Sequence, residues 1–142
     1  GRNPASARVR GDALRLPFAD ATFDLIFEAN LLHHLDAPEK CLREARRVLR
    51  PGGAILSVEP NRWHPLMFAF GLAVAEERRL LRYSGRHMRE LAAGAGLRVA
   101  ARCVTGQIYQ NKTPEWMLPA LERFERACYP LGAYQVCVLL EG

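Results

Sequence analysis

Residues 11–53 constrain the fold most: GDALRLPFADATFDLIFEANLLHHLDAPEKCLREARRVLRPGG. Within them a strand-length apolar run, residues 23–27 (FDLIF), leads through a corner at residues 28–35 into an amphipathic helix. Leu42, Ala45, Val48 and Leu49 recur at helical spacing, while Lys40, Arg43, Arg46 and Arg47 take the other faces. Asp36 is placed to cap that helix, with Glu39 as its capping-box partner and Pro38 in the first turn. Pro51-Gly52-Gly53 then stops the helix and turns the chain. A second buried-type strand follows at residues 54–58 (AILSV), ending in Glu59-Pro60-Asn61.

The same alternation continues to the end of the chain. Residues 66–81 read as helical, apolar first and charged later, and Ser84 is placed to cap a helix through Ala95. Residues 98–109 alternate as a strand, and a last helix opens at Thr113-Pro114 or Leu118-Pro119. Residues 134–140 (YQVCVLL) form a final strand, antiparallel because its connection is short. Residues 7–10 are read as a short strand ending at Gly11 and Asp12. Strands alternating with helices predict an α/β fold, helices covering a mostly parallel sheet, in a single domain. At 142 residues, with 49% hydrophobic and 25% charged, the chain is globular rather than disordered.

In such sheets ligands collect at the carboxyl ends of strands. Three ends are candidates: Asp12-Ala13, Ala29-Asn30-Leu31 and Glu59-Pro60-Asn61. A carboxylate at Asp12 and the N–H of Ala13 would suit the donor–acceptor edge of adenine, with Leu14, Leu16, Pro17 and Phe18 walling its faces. Taken alone, Asp12 reads more simply as a turn cap beside Gly11. Glu59-Pro60-Asn61 faces the same mouth, and either touches a ligand or merely ends the strand. His33 and His34 suit either a general base or one packed and one solvated side chain, and the second reading is preferred. They do not make a metal pair, because no third ligand is spaced nearby, so no metal is expected.

GDALRLPF, FDLIF, HHL and RVLRPGG, in that order and at these intervals, resemble the class I S-adenosylmethionine-dependent methyltransferases. The resemblance runs from about Arg8 to the final strand and is most specific up to Gly53. It implies a partial Rossmann-like methyltransferase sheet, strands three to seven of the family fold, with the last strand antiparallel and flanking helices. It implies S-adenosylmethionine as cofactor, Asp12 and Ala13 on adenine, and the backbone of Ala29, with Asn30 and Leu31 beside it, facing the methionine arm. The glycine-rich loop and the ribose-holding acid of the family have no candidate here, so an N-terminally truncated domain, inactive by itself, is expected. The alternative is a non-catalytic half-domain completed by a partner chain.

A small-molecule or lipid-like methyl acceptor is expected, since the apolar segment at residues 65–75 lies where relatives insert substrate-covering elements. A core-packing helix is the preferred reading of that segment. It is too short to span a bilayer. The net charge of +5 comes from arginines interleaved with Glu, so nucleic acid is not an expected partner. Gly94-Ala95-Gly96 follows a helix and precedes a strand, the wrong order for a cofactor-cradling loop. Four cysteines without metal spacing, Cys41 and Cys137 in apolar patterns, fit a reducing cytoplasm.

Overall fold

The computed structural model describes residues 8–105, 116, 118–128 and 132–142. Its elements run β1 (Phe23–Ala29), α1 (Pro38–Val48), β2 (Leu49–Pro60), α2 (Pro65–Ala73), α3 (Gly85–Gly94), β3 (Leu97–Thr105), α4 (Leu118–Cys128) and β4 (Tyr134–Glu141). Two 3-10 segments, Leu32–His34 and Ala75–Arg82, sit at the corner after β1 and after α2. The strands form one sheet in the order β1-β2-β4-β3. β1 and β2 are parallel, and β4 runs antiparallel to both β2 and β3. The sheet is therefore mixed rather than mostly parallel, with the last strand antiparallel as expected. Arg8–Arg10 do not form the short strand expected before Gly11, and Ala7 lies outside the described residues.

Alternation along the strands builds the core. Ile55, Ser57 and Glu59 of β2 and Gln135, Cys137 and Leu139 of β4 are buried on one face. On that face lie Leu42, Ala45 and Val48 of α1 and Met88, Leu91 and Ala92 of α3, all buried. The opposite face is less covered, and on β1 it presents Leu25 and Phe27, 60% and 63% exposed.

Three local features depart from the sequence reading. Asp36 does not cap α1: the N-cap is Ala37, without a side-chain bond, and Asp36 pairs with Arg79 instead. Pro38 at the first position removes one N–H that would need a cap. Pro51-Gly52-Gly53 does not follow the helix directly. Leu49 is already extended and pairs with Phe23, and the ladder resumes at Leu25 with Ala54. The turn is thus an irregularity inside β2. Gly53 is required there, because a Cβ would lie 2.8 Å from the Asp24 carbonyl oxygen. Finally, the helix read over residues 66–81 breaks at Val74, which is extended. The chain folds back so that Gly71 packs on Leu80 and Leu81, where a Cβ would stand 2.8 Å from the Leu81 methyl.

Other expectations hold. Ser84 caps α3, its side chain accepting from the His87 N–H at 3.2 Å. Gly94 ends α3, and Gly96, at φ +73°, turns the chain into β3. Strand β3 ends at Thr105, with the rest of the predicted strand and Thr113-Pro114 outside the described residues. Cys41 and Cys137 are buried, their thiols pushed up to about 11 chiefly by burial. No helix of the described residues is long and apolar enough to cross a membrane.

Candidate active site

The site is built at the carboxyl ends of β1 and β2, where Glu59 organises the corner. Its carboxylate is completely buried. One oxygen accepts from the N–H groups of Leu31, at 3.0 Å, and Leu32, at 2.8 Å. The other lies 2.6 Å from Nδ1 of His33. A buried carboxylate needs such partners, since an unpaired one would carry a heavy desolvation cost. The sequence reading placed Glu59 facing the open mouth. The structure turns it inward, so it holds the corner rather than touching a ligand. Asn61 likewise serves the backbone, donating to the Gly132 carbonyl and accepting from the Trp63 N–H.

Beneath the corner the buried polar row continues. Glu28 accepts from the Ser57 hydroxyl. Its pKa is pushed up to about 9, first by burial and then by the negative charge of Glu59. Two neighbouring carboxyl groups in a dry site cannot both ionise, so Glu28 keeps its proton at neutral pH. Gln135 completes the row, its amide donating to the carbonyls of Pro60 (3.3 Å) and Tyr83 (3.1 Å) and accepting from Arg102.

The predicted cofactor residues fall on two neighbouring segments. Ala29 and Asn30 are exposed at the end of β1. Asn30 is left-handed at φ 52° and donates its N–H to the Val58 carbonyl. That conformation, tolerated by Asn, swings the chain off the strand and into the 3-10 turn. Asp12 is exposed at the head of a turn in which the Arg15 N–H bonds its carbonyl. One of its carboxylate oxygens accepts from the Leu14 N–H at 2.9 Å, so it does cap that turn. Ala13, Leu14 and Leu31 are partly buried against the same hydrophobic core cluster. Arg47 ties the intervening loop to α1, donating to the carbonyls of Leu16 and Phe18 and pairing with Glu44 and Asp20. As a donor set the two segments would suit an adenosyl cofactor: a carboxylate with an oxygen to spare, apolar flanks and an exposed strand-end backbone.

His33 is buried and His34 exposed, the packed-and-solvated division preferred from the sequence. The expectation that no third ligand lies near them is overturned. Ligand atoms of His33, His34 and Glu77 lie within 4.8 Å of one another. All three line a cavity of about 210 Å³ with Asn30, Met67, Phe70 and Tyr134. α2 beside it is not the core-packing helix expected. Only Met67 and Gly71 are buried, and Leu66, Phe68, Phe70 and Leu72 are exposed. A larger concavity of about 570 Å³ lies at the opposite end of the sheet. Its arginines 43, 46 and 47 are already paired with Glu39, Glu141, Glu44 and Asp20.

A parallel pair with an antiparallel terminal strand, and a backbone-lined site at the end of β1, define an α/β cofactor-binding fold of the methyltransferase type. The methyltransferase domain family matches residues 2–57. A methyltransferase-family protein of Encephalitozoon cuniculi is 33% identical over 93 residues, covering 63% of this chain and 40% of that protein. The ubiquinone/menaquinone biosynthesis C-methyltransferase UbiE of Roseobacter denitrificans is 47% identical over 51 residues, 36% of this chain and 20% of that protein. A solved S-adenosylmethionine-dependent methyltransferase of Thermotoga maritima shares the fold at a TM-score of 0.66 and 20% identity, covering 94% of this chain and 63% of that one. The match over residues 2–57, the relatives and the shared fold support a class I S-adenosylmethionine-dependent methyltransferase. The chain spans well under half the length of the curated relatives it matches.

Proposed function

We propose that the protein transfers a methyl group from S-adenosylmethionine to a small-molecule or lipid-like acceptor, and that these 142 residues carry one wall of the site. The observation that carries this reading is the corner after β1. There Glu59 holds the backbone of Leu31 and Leu32, leaving Ala29 and Asn30 exposed beside a cavity flanked by an apolar helix. Asp12 and Ala13 would take the adenine edge, and Ala29, Asn30 and Leu31 the methionine arm. With the N–H groups of Asn30 and Leu31 already given to Val58 and Glu59, that segment's contribution would come from Ala29 and from the Asn30 side chain.

The reaction is an in-line displacement. When bound, S-adenosylmethionine would supply the methyl group, an acceptor lone pair forming the bond to carbon as the carbon–sulfur electrons return to sulfur. The residues contribute mainly by positioning. The exposed leucine and phenylalanine side chains of α2 support an apolar acceptor.

No glycine-rich loop after a strand is readable in the sequence, so the 142 residues by themselves bind the cofactor weakly. Calorimetric titration with S-adenosylmethionine tests this. Millimolar or undetectable binding is expected, and micromolar binding would overturn the weak-binding part. A second reading is a non-catalytic half-domain completed by a partner chain. The uncovered β1 face at Leu25 and Phe27 favours it. A separately produced glycine-rich half should restore cofactor binding under the first reading, whereas the second predicts that a different protein is required.

A further inference from the structure

The corner holds a second arrangement, to which the proposed methyl transfer assigns no role. His33 binds Glu59 through Nδ1, which directs its other nitrogen, Nε2, outward. That nitrogen does not face solvent alone. It faces Oε2 of Glu77 at 3.5 Å. The imidazole of His34 lies over that of His33, with ring centres 4.0 Å apart.

We propose that His33 Nε2, His34 and Glu77 form a divalent-metal site of the zinc type, with Glu59 fixing His33 from behind. Four observations point there. The donor set is two imidazoles and a carboxylate, a combination that suits zinc with an open position. The 3.5 Å between His33 Nε2 and Glu77 Oε2 matches the roughly 3.4 Å that separates two tetrahedral ligands about 2.1 Å from a zinc ion. The His33 ring is oriented by a buried carboxylate on its far nitrogen, the support that metal-bound histidines ordinarily have. A ring nitrogen of exposed His34 already lies within 4.8 Å of the ligand atoms of His33 and Glu77. All three side chains border the 210 Å³ cavity, so an ion here keeps a position open toward it.

The one competing occupant is a proton. An imidazolium at His33 would bridge Glu59 and Glu77 without any metal, and His34 would then be idle. Zinc titration of the chelator-treated 142-residue chain, followed by calorimetry and by the visible bands of substituted cobalt, separates the two. The proposal expects about one ion per chain and intensified cobalt bands typical of four-coordination. His34→Ala and Glu77→Gln should each weaken binding at least tenfold, and both alter side chains outside the buried core. His87→Ala, which removes a histidine paired with Glu90 rather than with this cluster, should leave affinity within twofold. Absence of ion uptake at hundredfold excess overturns the site. So does uptake that survives in both His34→Ala and Glu77→Gln, or that is lost equally in His87→Ala. None of these readouts depends on methyl transfer.

Discussion

Glu59 concentrates three tasks in one carboxylate, and its replacement should separate them. In Glu59→Ala, two backbone N–H groups and an imidazole nitrogen lose their acceptor, at about 1–3 kcal/mol for each buried group. We expect a loss of about 3–5 kcal/mol in denaturant-induced unfolding. Glu59→Gln keeps one oxygen for Leu31 and Leu32 but presents an amide where His33 needs an acceptor. It should cost about 1–2 kcal/mol. Glu28 makes the opposite prediction. Its folded-state pKa is raised to about 9, so the folded chain keeps a proton that the unfolded chain gives up above about 4.5. The stability this supplies is fully present below pH 4.5 and drains away as pH rises to about 9. Glu28→Gln should therefore flatten the pH dependence and raise stability at pH 8 by roughly 1–3 kcal/mol. Thermal unfolding from pH 5 to 9 reads both effects. Neither carboxylate's role was readable from sequence. Glu59 and His33 stand 26 positions apart, and only the parallel register of β1 and β2 brings them together. Asp12 was more legible, because a turn following Gly-Asp is a local matter.

At the scale of elements, period carried far. The apolar spacing of α1 and α3, the strand runs and the Ser84 cap were all readable. Local signals there act within a few residues and agree with the packing. Ser84→Ala should lower stability by about 1 kcal/mol, measured as a shifted urea midpoint with unchanged slope. What escaped the sequence was set by distant contacts. The ladder irregularity at Pro51-Gly52-Gly53 depends on how closely β1 approaches Gly53. The break at Val74 depends on Gly71 meeting Leu80 and Leu81. The apolar-then-charged composition of residues 66–81 carries no local signal of that break, and so the segment read as one helix.

At the scale of the molecule, the two edges of the sheet differ. β3 carries exposed Arg98 and Arg102, charges that discourage pairing with another strand. β1 offers Leu25 and Phe27 on its uncovered face. We expect the chain to self-associate at high concentration through this edge. A Leu25→Lys, Phe27→Lys double substitution should abolish the association in sedimentation velocity, with a modest change in stability. The antiparallel last strand was legible from its short connection and from the family resemblance, whereas the extent of exposure at Leu25 and Phe27 depends on which elements cover that face of the sheet. The corner beyond β1 has a wider consequence. It is clamped through main-chain donors at Leu31 and Leu32, which every residue type except proline possesses. The side chains at Asn30 and His34, which border the cavity, take no part in that clamp. A protein built this way can exchange the residues that line this cavity while inheriting the geometry that presents them.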